Sequence, residues 1–410
     1  MRNFSKDILF LCQFFYPESN SSATLPFDTA KQLAASGITV DAMCGYPKEY
    51  NFGGKVPVKE TVDGVDINRI KYIQLGRKRK LSRLINYFSF TFFALLRIFK
   101  LKNYKSIIVY SNPPVLPVVP VLANILFGTK FVFVAYDVYP EVAYASGALI
   151  PGSMIDKVMK HLNRSIYKRA SMVVALTNEM KNFLMENRPE LTADRVCVIP
   201  NWAHEGSVYK DSDAKSNFGF SKDQFVVGYF GNMGICQDME TLLCAMRELK
   251  NEPDYGFLFV GHGNKKEHVE SVIRDEGIEN AKIYGFLVGE EFEQALAAAD
   301  CCVVSLEKGL RGMCAPSKYY SYLQAGKPVV AVVEEESYLW EEITEKHLGV
   351  AVAVGDVTAM EASIRALAAD KSTLDDMPLR TQQLYAEEYA AECGLKKYVD
   401  MMHSIIGRET

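Results

Sequence analysis

The chain has 410 residues, of which 49% are hydrophobic and 23% are charged, and this composition excludes a disordered, collagen-like or coiled-coil protein. The formal net charge of −4 hides an asymmetry, because residues 1–200 carry 26 Lys and Arg against 15 Asp and Glu, whereas residues 201–410 carry 20 against 35. The length allows two domains of ordinary size, which differ in their electrostatic surroundings.

The N-terminus and the cysteines favour a cytoplasmic protein that binds no metal. The apolar run at 8–12 is too short for the hydrophobic segment of a signal peptide. The nine cysteines form no CxxC pair and no Cys/His spacing suited to zinc, and Cys301 and Cys302 are adjacent within an apolar run. We therefore expect buried, reduced thiols, no disulfide framework and no metal cofactor.

Strand and helix patterns alternate through the first half of the chain. A buried strand at 8–15 is followed by a helix at 24–36 and a second strand at 38–44, which together form a βαβ unit. Further strand patterns lie at 67–72, 106–110, 130–135, 172–176 and 196–199. This alternation predicts a doubly wound parallel sheet covered by helices on both faces.

The stretch 201–224 has few apolar residues and predicts a connection between two domains. Alternation then restarts, with strands at 225–230, 256–260, 281–284, 300–306 and 328–333 and helices at 238–249, 265–276, 291–299 and 317–325. We predict an N-terminal domain at 1–204, a second Rossmann-like domain at 205–385, and a C-terminal helix within 386–410 that packs back on the first domain. Ligands of such proteins bind beyond the carboxyl ends of the strands, and a cleft between two facing domains is the natural site.

Residues 77–105 are unusually basic and aromatic. Their helical spacing predicts one core-facing stripe, formed by Leu81, Leu84, Ile85, Phe88, Phe92, Leu95, Leu96 and Phe99. Phe90 and Phe93 lie off that stripe and Arg79, Lys80 and Arg83 precede it, so we predict that these five residues contact an anionic membrane surface. The run is too short to span a bilayer, and the alternative is a buried helix with a solvated basic approach. The pI near 6.0 argues against nucleic acid as a partner.

Three loops in the second half each follow a strand and contain glycine. They are Gly231, Asn232, Met233 and Gly234, then 261–263, then Gly285 and Phe286. Glycine permits close backbone approach, and a following helix N-terminus favours phosphate oxygens. Each loop alone could be a simple turn, but three at one sheet edge favour an anion site.

A basic segment leads into the helix predicted at 317–325. Arg311 and Lys318 flank Ser317 at the start of this helix. Fixed cations and a helix dipole oppose the negative charge of a leaving phosphate, so this segment predicts a diphosphate clamp.

Polar residues also follow two strands of the first half. Asp137 and Glu141 come after the strand at 130–135, where a carboxylate can orient a hydroxyl or accept its proton, although helix capping explains them equally well. Ser21 and Ser22 lie between the first strand and the first predicted helix, where they could offer N–H groups to a sugar or anion, or form a plain N-cap.

Together these segments resemble the retaining glycosyltransferases of family 4, which have the GT-B architecture of two facing Rossmann-like domains. The motifs, in chain order, are FYPESNSSATLPFDTAKQLAASGITVDAMCGYP near the start, SNPP at 111–114, YDVYPE at 136–141, IPNWAH at 199–204, YFGNMG at 229–234 and PSKYYSYLQAGKPVVAV at 316–332. The chain is most similar to the bacterial capsule and O-antigen enzymes that include N-acetyl-fucosamine transferases.

The resemblance implies a nucleotide sugar on the second domain, with its diphosphate near Gly231–Gly234 and Lys318 and its base near Gly285 and Phe286. It also implies that no metal is needed and that Asp137 faces the sugar or the acceptor. Many members carry two glutamates where this chain has Met313 and Ser321, and the second of them holds the ribose. That contact could come from Tyr320 or Tyr322, or the donor could be held differently.

The leading hypothesis is a retaining glycosyltransferase, peripheral on the inner face of the plasma membrane. It moves a sugar from a nucleoside diphosphate sugar, with UDP favoured, to a lipid-linked or oligosaccharide acceptor in bacterial cell-surface polysaccharide biosynthesis. Two alternatives stay open at this point. One is a sugar 2-epimerase of the same architecture, which needs no acceptor, and the other is a non-catalytic partner in polysaccharide assembly.

Overall fold

The computed structural model describes residues 4–47, 55–76, 80–203 and 213–407 of the chain. These residues form two compact units. Unit 1 comprises 1–201, 312–315 and 391–410, and unit 2 comprises 202–311 and 316–390. Each unit has one mainly or wholly parallel sheet covered by helices, which confirms the predicted fold class.

Unit 1 has an eight-stranded sheet in the order β3-β4-β2-β1-β5-β6-β7-β8. The strands are β1 (Lys6–Cys12), β2 (Val40–Gly45), β3 (Lys59–Val62), β4 (Val65–Ile70), β5 (Tyr104–Tyr110), β6 (Lys130–Ala135), β7 (Met172–Ala175) and β8 (Val196–Val198). The helices are α1 (Ser21–Ala35), α2 (Lys80–Leu95), α3 (Ile98–Leu101), α4 (Val118–Phe127), α5 (Glu141–Ala145), α6 (Met154–Arg169) and α7 (Asn178–Asn187).

The strand β1 lies at the centre of this sheet. It pairs in parallel with β2 on one side and β5 on the other, so that Leu9 lies between Asp41 and Ile107. A strand covered on both faces needs an apolar sequence, and six of the seven residues of β1 are buried. Because the chain winds away from β1 in both directions, the carboxyl end of β1 is a switch point where open α/β sheets bind ligands.

Unit 2 has a six-stranded parallel sheet in the order β11-β10-β9-β12-β13-β14. The strands are β9 (Phe225–Asn232), β10 (Tyr255–His262), β11 (Ala281–Tyr284), β12 (Cys301–Ser305), β13 (Val329–Val333) and β14 (Gly349–Ala353). The helices are α8 (Ala214–Asn217), α9 (Glu240–Glu248), α10 (Lys266–Asp275), α11 (Glu290–Ala298), α12 (Lys318–Gln324), α13 (Tyr338–Glu345), α14 (Val357–Ala369) and α15 (Lys371–Leu384). Here β9 is the switch strand, since it pairs with both β10 and β12.

The structure departs from the predicted elements at the sheet edges and at the C-terminus. The edge strand β3 was not predicted, and it pairs antiparallel with β4 through a turn at Asp63 and Gly64, both with positive φ. The predicted C-terminal helix is preceded by an interruption, because α15 ends at Leu384 and a π turn at 385–389 separates it from α16 (Ala391–Ile406). The helix α16 contacts α1 and β5 within unit 1.

The predicted orientation of the basic aromatic helix is wrong. Phe90 is fully buried with its ring 5.4 Å from that of Tyr72, so it cannot contact a membrane. Phe93 is partly buried and packs against the unit 1 core. Side chains of the stripe assigned to the core are instead 47–68% exposed, namely Leu81, Leu84, Phe88, Phe92, Leu96 and Phe99. The reason is Asn86, whose buried side-chain amide accepts from the Leu75 N–H and donates to the Leu75 carbonyl. These two hydrogen bonds turn the face of α2 that carries Asn86 toward the core, so the predicted stripe faces outward.

The remaining residues of that prediction are placed as follows. Arg83 is half-buried on α2, Lys80 begins the helix, and Arg79 lies outside the described residues. Across the described part of the chain, no helix combines the length and the apolar character needed to cross a bilayer.

Candidate active site

The glycine-containing loops after β9 and β10 pack against each other through their backbones. Gly231 lies opposite Gly261 in the strand register. A Cβ added to Gly261 would lie 1.9 Å from the Gly231 carbonyl oxygen, and one added to Gly263 would lie 2.4 Å from that of Met233. Both glycines also have positive φ. These positions therefore require glycine, and they create a surface without side chains at the carboxyl edge of the sheet.

Two backbone amides of the first loop are already paired within unit 2. The Met233 amide donates to the His262 carbonyl (2.7 Å), and the Gly234 amide donates to Oε1 of Gln237 (2.9 Å). The Met233 and Gly234 amides are therefore not available to a phosphate. The loop can instead let a ligand approach the backbone closely, because its glycines carry no side chain.

Lys318 is the cationic side chain beside this loop. Its Nζ lies 3.4 Å from the Asn232 carbonyl oxygen and 3.6 Å from the centre of the Tyr229 ring, beside Gly231. Within the described residues, no carboxylate contacts this ammonium group. Burial without a counter-charge lowers the pKa of Lys318 well below its ordinary value. A lysine in this state favours an anionic ligand, because the anion would restore the charge that desolvation disfavours.

The helix that begins with Lys318 is fixed to its surroundings by tyrosines. The Tyr322 hydroxyl accepts from the Phe230 amide (3.0 Å) and lies 3.3 Å from the Val303 carbonyl, which ties α12 to β9 and β12. The Tyr319 hydroxyl donates to Glu342 on α13 (2.5 Å), and burial raises the pKa of that carboxyl. These bonds hold the start of α12 at the edge formed by the glycine loops.

Neither tyrosine considered for the ribose is open to a ligand. Tyr322 is fully buried and uses its hydroxyl on backbone groups, and Tyr320 is 1% exposed with its ring against that of Tyr389. The expectation of a ribose contact from either residue is therefore wrong. Their large buried rings serve the packing of α12 instead.

The other donor-side residues are more peripheral. Arg311 lies 3.6 Å from Glu336 in an exposed ion pair, a type worth only about 0–1 kcal/mol. Ser317 is the residue before α12, and its side chain makes no capping hydrogen bond to the helix. Phe286, which follows β11, is 52% exposed, and its ring stands edge-on to that of His262 at 5.3 Å. Gly285 faces open space.

An ion pair that was not predicted from the sequence lies at the same edge of the sheet. Lys265 follows the second glycine loop, and its Nζ contacts Oε1 of Glu307 (2.5 Å) and the Gln237 carbonyl (2.7 Å). Glu307 lies two residues beyond β12. A charged residue immediately past a parallel strand was the available signal, the same signal that singled out Asp137.

In unit 1, Asp137 follows β6, and its carboxyl group pairs with no side chain in the described part of the chain. Its amide donates to the Ser111 hydroxyl (3.1 Å), and the side chain lines a small cavity with Ser111, Tyr139 and Asn163. No described side chain donates to its carboxylate. Burial raises the pKa of Asp137 to about 6. The group is thus ionised at neutral pH and ready to accept a hydrogen bond.

The remaining acceptor-side residues have different surroundings. Both carboxyl oxygens of Glu141 accept from Nη2 of Arg188 (2.9 and 2.7 Å), so this residue is held in an ion pair inside unit 1. Ser21 and Ser22 are the first two residues of α1, beyond the carboxyl end of β1. They therefore lie at the switch point of the unit 1 sheet.

Comparison with known proteins agrees with this architecture. Residues 27–202 match the Glycosyl transferase 4-like domain, and residues 224–370 match the family Glycosyl transferases group 1. The chain is 28% identical to a Pseudomonas aeruginosa protein named Probable glycosyltransferase WbjE, over 80% of this chain and 83% of that protein.

Two solved structures share the fold. One is HepE of Anabaena in complex with UDP-glucose, with a TM-score of 0.70 and 16% identity over 98% of this chain and 99% of that one. The other is WaaG, described as a glycosyltransferase involved in lipopolysaccharide biosynthesis, with a TM-score of 0.71 and 12% identity over 96% and 99%. The two family matches, the curated relative and the two parallel-sheet units agree: the chain is a glycosyltransferase with the GT-B fold.

Proposed function

We propose that this enzyme transfers a sugar from a nucleoside diphosphate sugar, with UDP favoured, to a lipid-linked or oligosaccharide acceptor in cell-surface polysaccharide biosynthesis, with retention of anomeric configuration. The observation that carries the donor class is Lys318, a half-buried cation at a glycine edge with no carboxylate contact in the described parts of either unit. The names of the relatives support the same reading, since HepE holds UDP-glucose and WaaG serves lipopolysaccharide biosynthesis. An N-acetyl-fucosamine-type donor is the finer form of the proposal.

In this proposal the diphosphate lies against Lys318 beside Gly231 and Asn232. The sugar C1–O bond breaks, and the nucleoside diphosphate leaves with the electron pair while the ammonium group offsets its developing charge. The base lies at the exposed ring of Phe286, next to Gly285. We expect transfer without a divalent metal, because the lysine supplies the positive charge that a metal would otherwise provide.

Asp137 orients the acceptor in this scheme. Its carboxylate accepts a hydrogen bond from the attacking hydroxyl. The hydroxyl oxygen bonds to C1 on the face that the diphosphate leaves, and its proton passes to the departing phosphate oxygen. The empty hydrogen-bonding capacity of Asp137 and its raised pKa suit this role, whereas Glu141 is already paired with Arg188. Glu141, Ser21 and Ser22 then shape the surroundings of the acceptor rather than its chemistry.

A membrane surface is the proposed location of the acceptor. The exposed stripe of α2 and α3 runs beside cationic Arg83, Lys100 and Lys102, and α6 begins with a second apolar patch. That patch comprises Ile150, Met154, Ile155 and Val158, which are 61–76% exposed. Because α4 contacts both α2 and α6, these surfaces lie on one face of the unit 1 sheet. Apolar side chains with flanking cations fit an anionic leaflet.

Donor binding and product analysis test the proposal. The purified protein is titrated with UDP, GDP and dTDP by calorimetry and then incubated with UDP-sugars, with and without a lipid-linked saccharide, in the presence of EDTA. We expect UDP to bind and sugar transfer to require the acceptor. A C2-epimerised sugar formed without acceptor would instead indicate an epimerase, and the absence of nucleotide binding would indicate a non-catalytic partner.

The membrane contact is testable by cosedimentation with vesicles rich in phosphatidylglycerol. The triple change Leu84→Ser, Phe88→Ser and Phe92→Ser is expected to weaken binding by at least about tenfold, because each inserted apolar side chain contributes roughly 1.5–3 kcal/mol when fully buried. Leu379→Ser is the matched control, since Leu379 is 69% exposed but lies on α15 of unit 2. Unchanged cosedimentation of the triple variant would contradict membrane docking through this surface.

A further inference from the structure

Four residues between β12 and α12 pack into unit 1, although the chain on both sides of them belongs to unit 2. We call this segment, Gly312–Ala315, the strap. The Gly312 amide donates to Oε2 of Glu179 (3.1 Å). Gly312 has φ +70°, and a Cβ added there would lie 2.9 Å from Cβ of Phe183. The first residue of the strap is therefore seated against α7 by one hydrogen bond and by close contact.

The strap continues directly to Asp137. The Val138 amide donates to the Met313 carbonyl (2.8 Å), and Asp137 forms an isolated antiparallel bridge with Cys314. Met313 and Ala315 pack against the core of unit 1. The backbone that carries the Asp137 carboxyl is thus paired with the strap on one side, while its own amide is bonded to Ser111 on the other.

Glu179 is well placed to fix this arrangement. It lies in the first turn of α7, where the Thr177 hydroxyl caps the helix by accepting from the Met180 amide (3.0 Å). A capped helix start holds its first-turn side chains in place. Glycine has no side chain to restrict its backbone, so Gly312 depends on contacts with its neighbours for a fixed position. The Glu179 carboxylate, held at a capped helix start, provides one such contact.

We propose that Glu179 is a positioning residue for sugar transfer, which holds the strap through Gly312 and thereby sets the place of the Asp137 carboxyl. This inference rests on the proposed role of Asp137 as the group that orients the acceptor. It adds a residue from α7, outside every motif that resembles the family. The strap also lies three residues before Lys318, so one short segment connects the backbone beside the acceptor carboxylate to the donor lysine.

The test compares Glu179→Ala with Glu179→Gln. Loss of the acceptor oxygen is expected to lower kcat for transfer by about tenfold or more, since small misplacements of a reacting group are costly. The KM for the nucleotide sugar should stay within about twofold, because the donor site in unit 2 is untouched. The glutamine variant retains an oxygen for the Gly312 amide and should recover most of the rate. A merely structural role would not give this split or this rescue.

Two further variants keep the test decisive. Gly312→Ala, which forces a Cβ against Phe183, should reproduce the loss of kcat even where Glu179→Ala folds poorly. Glu186→Ala, an exposed change on the same helix, should match the parent enzyme.

The outcomes separate the two proposals. A parent-like kcat for Glu179→Ala together with an inactive Asp137→Asn would overturn the positioning role alone. A parent-like rate for Asp137→Asn would overturn both the positioning role and the proposed role of Asp137.

Discussion

Replacing Lys318 by alanine is expected to lower kcat/KM for the nucleotide sugar by about 10²–10³-fold, the usual cost of removing one group that stabilises developing negative charge. The reason is that Lys318 contacts the Asn232 carbonyl and the Tyr229 ring but no described carboxylate, so its charge is available to a ligand. Calorimetry should also show weaker UDP binding, since the phosphates lose their cationic contact. Initial rates with a saturating acceptor measure the main effect.

The matched control for this change is Lys222→Ala. Lys222 also lies in unit 2, but it is exposed and pairs with Asp213 (2.9 Å), so its removal should leave transfer unchanged. If Lys318→Ala transferred sugar as fast as the parent enzyme, the assignment of the diphosphate to this edge would be wrong. A loss in Lys318→Ala with unchanged UDP affinity would place the effect in the chemical step alone.

Asp137→Asn is expected to reduce transfer by about 10²–10⁴-fold, the range for loss of a group that accepts a proton or holds the nucleophile. An amide keeps the shape of the side chain but loses the negative charge that attracts the hydroxyl proton. In the parent enzyme, burial raises the pKa of Asp137 to about 6. The carboxylate form is present above that pH, so activity should fall as the pH drops through about 6.

The pH dependence of kcat/KM measures this directly. The acid limb should be absent from the residual activity of Asp137→Asn, because that variant has no carboxyl to protonate at this position. Asp63→Asn is the control, since Asp63 forms an exposed pair with Lys31 in the same unit (3.5 Å). An acid limb that persists in Asp137→Asn would assign the titration to another group.

The sequence was sufficient to predict the central strands and the loops that follow them. β1 and β9 are apolar because both of their faces are covered, and this gives a local signal that needs no knowledge of neighbours. Asp137 could be singled out because it follows another such strand, β6. Lys318 could be singled out because it stands with Arg311 at the start of a predicted helix. Edge strands such as β3 carry no equivalent signal, because half of their residues are exposed.

Other features depended on contacts between residues far apart in the chain. The helix α2 is apolar on two faces, and only the bonds from Asn86 to Leu75 decide which of them is buried. The hydroxyl of Tyr322 is used by Phe230, 92 positions away, so its availability to a ribose could not be judged locally. The contact between Glu179 and Gly312 spans 133 positions and has no pattern along the chain.

The glycines at the carboxyl edge of the unit 2 sheet differ in whether they can be replaced by another residue. At Gly261 any side chain would collide with the neighbouring backbone, so this position cannot accept another residue. At Gly285 an added Cβ would lie more than 4 Å from every described atom outside its neighbours, and φ there is not positive. In the proposed donor site, related enzymes could therefore diverge in nucleobase preference by changing the rim after β11 while the phosphate end stays constant, and Gly285 is the position from which to engineer such a change.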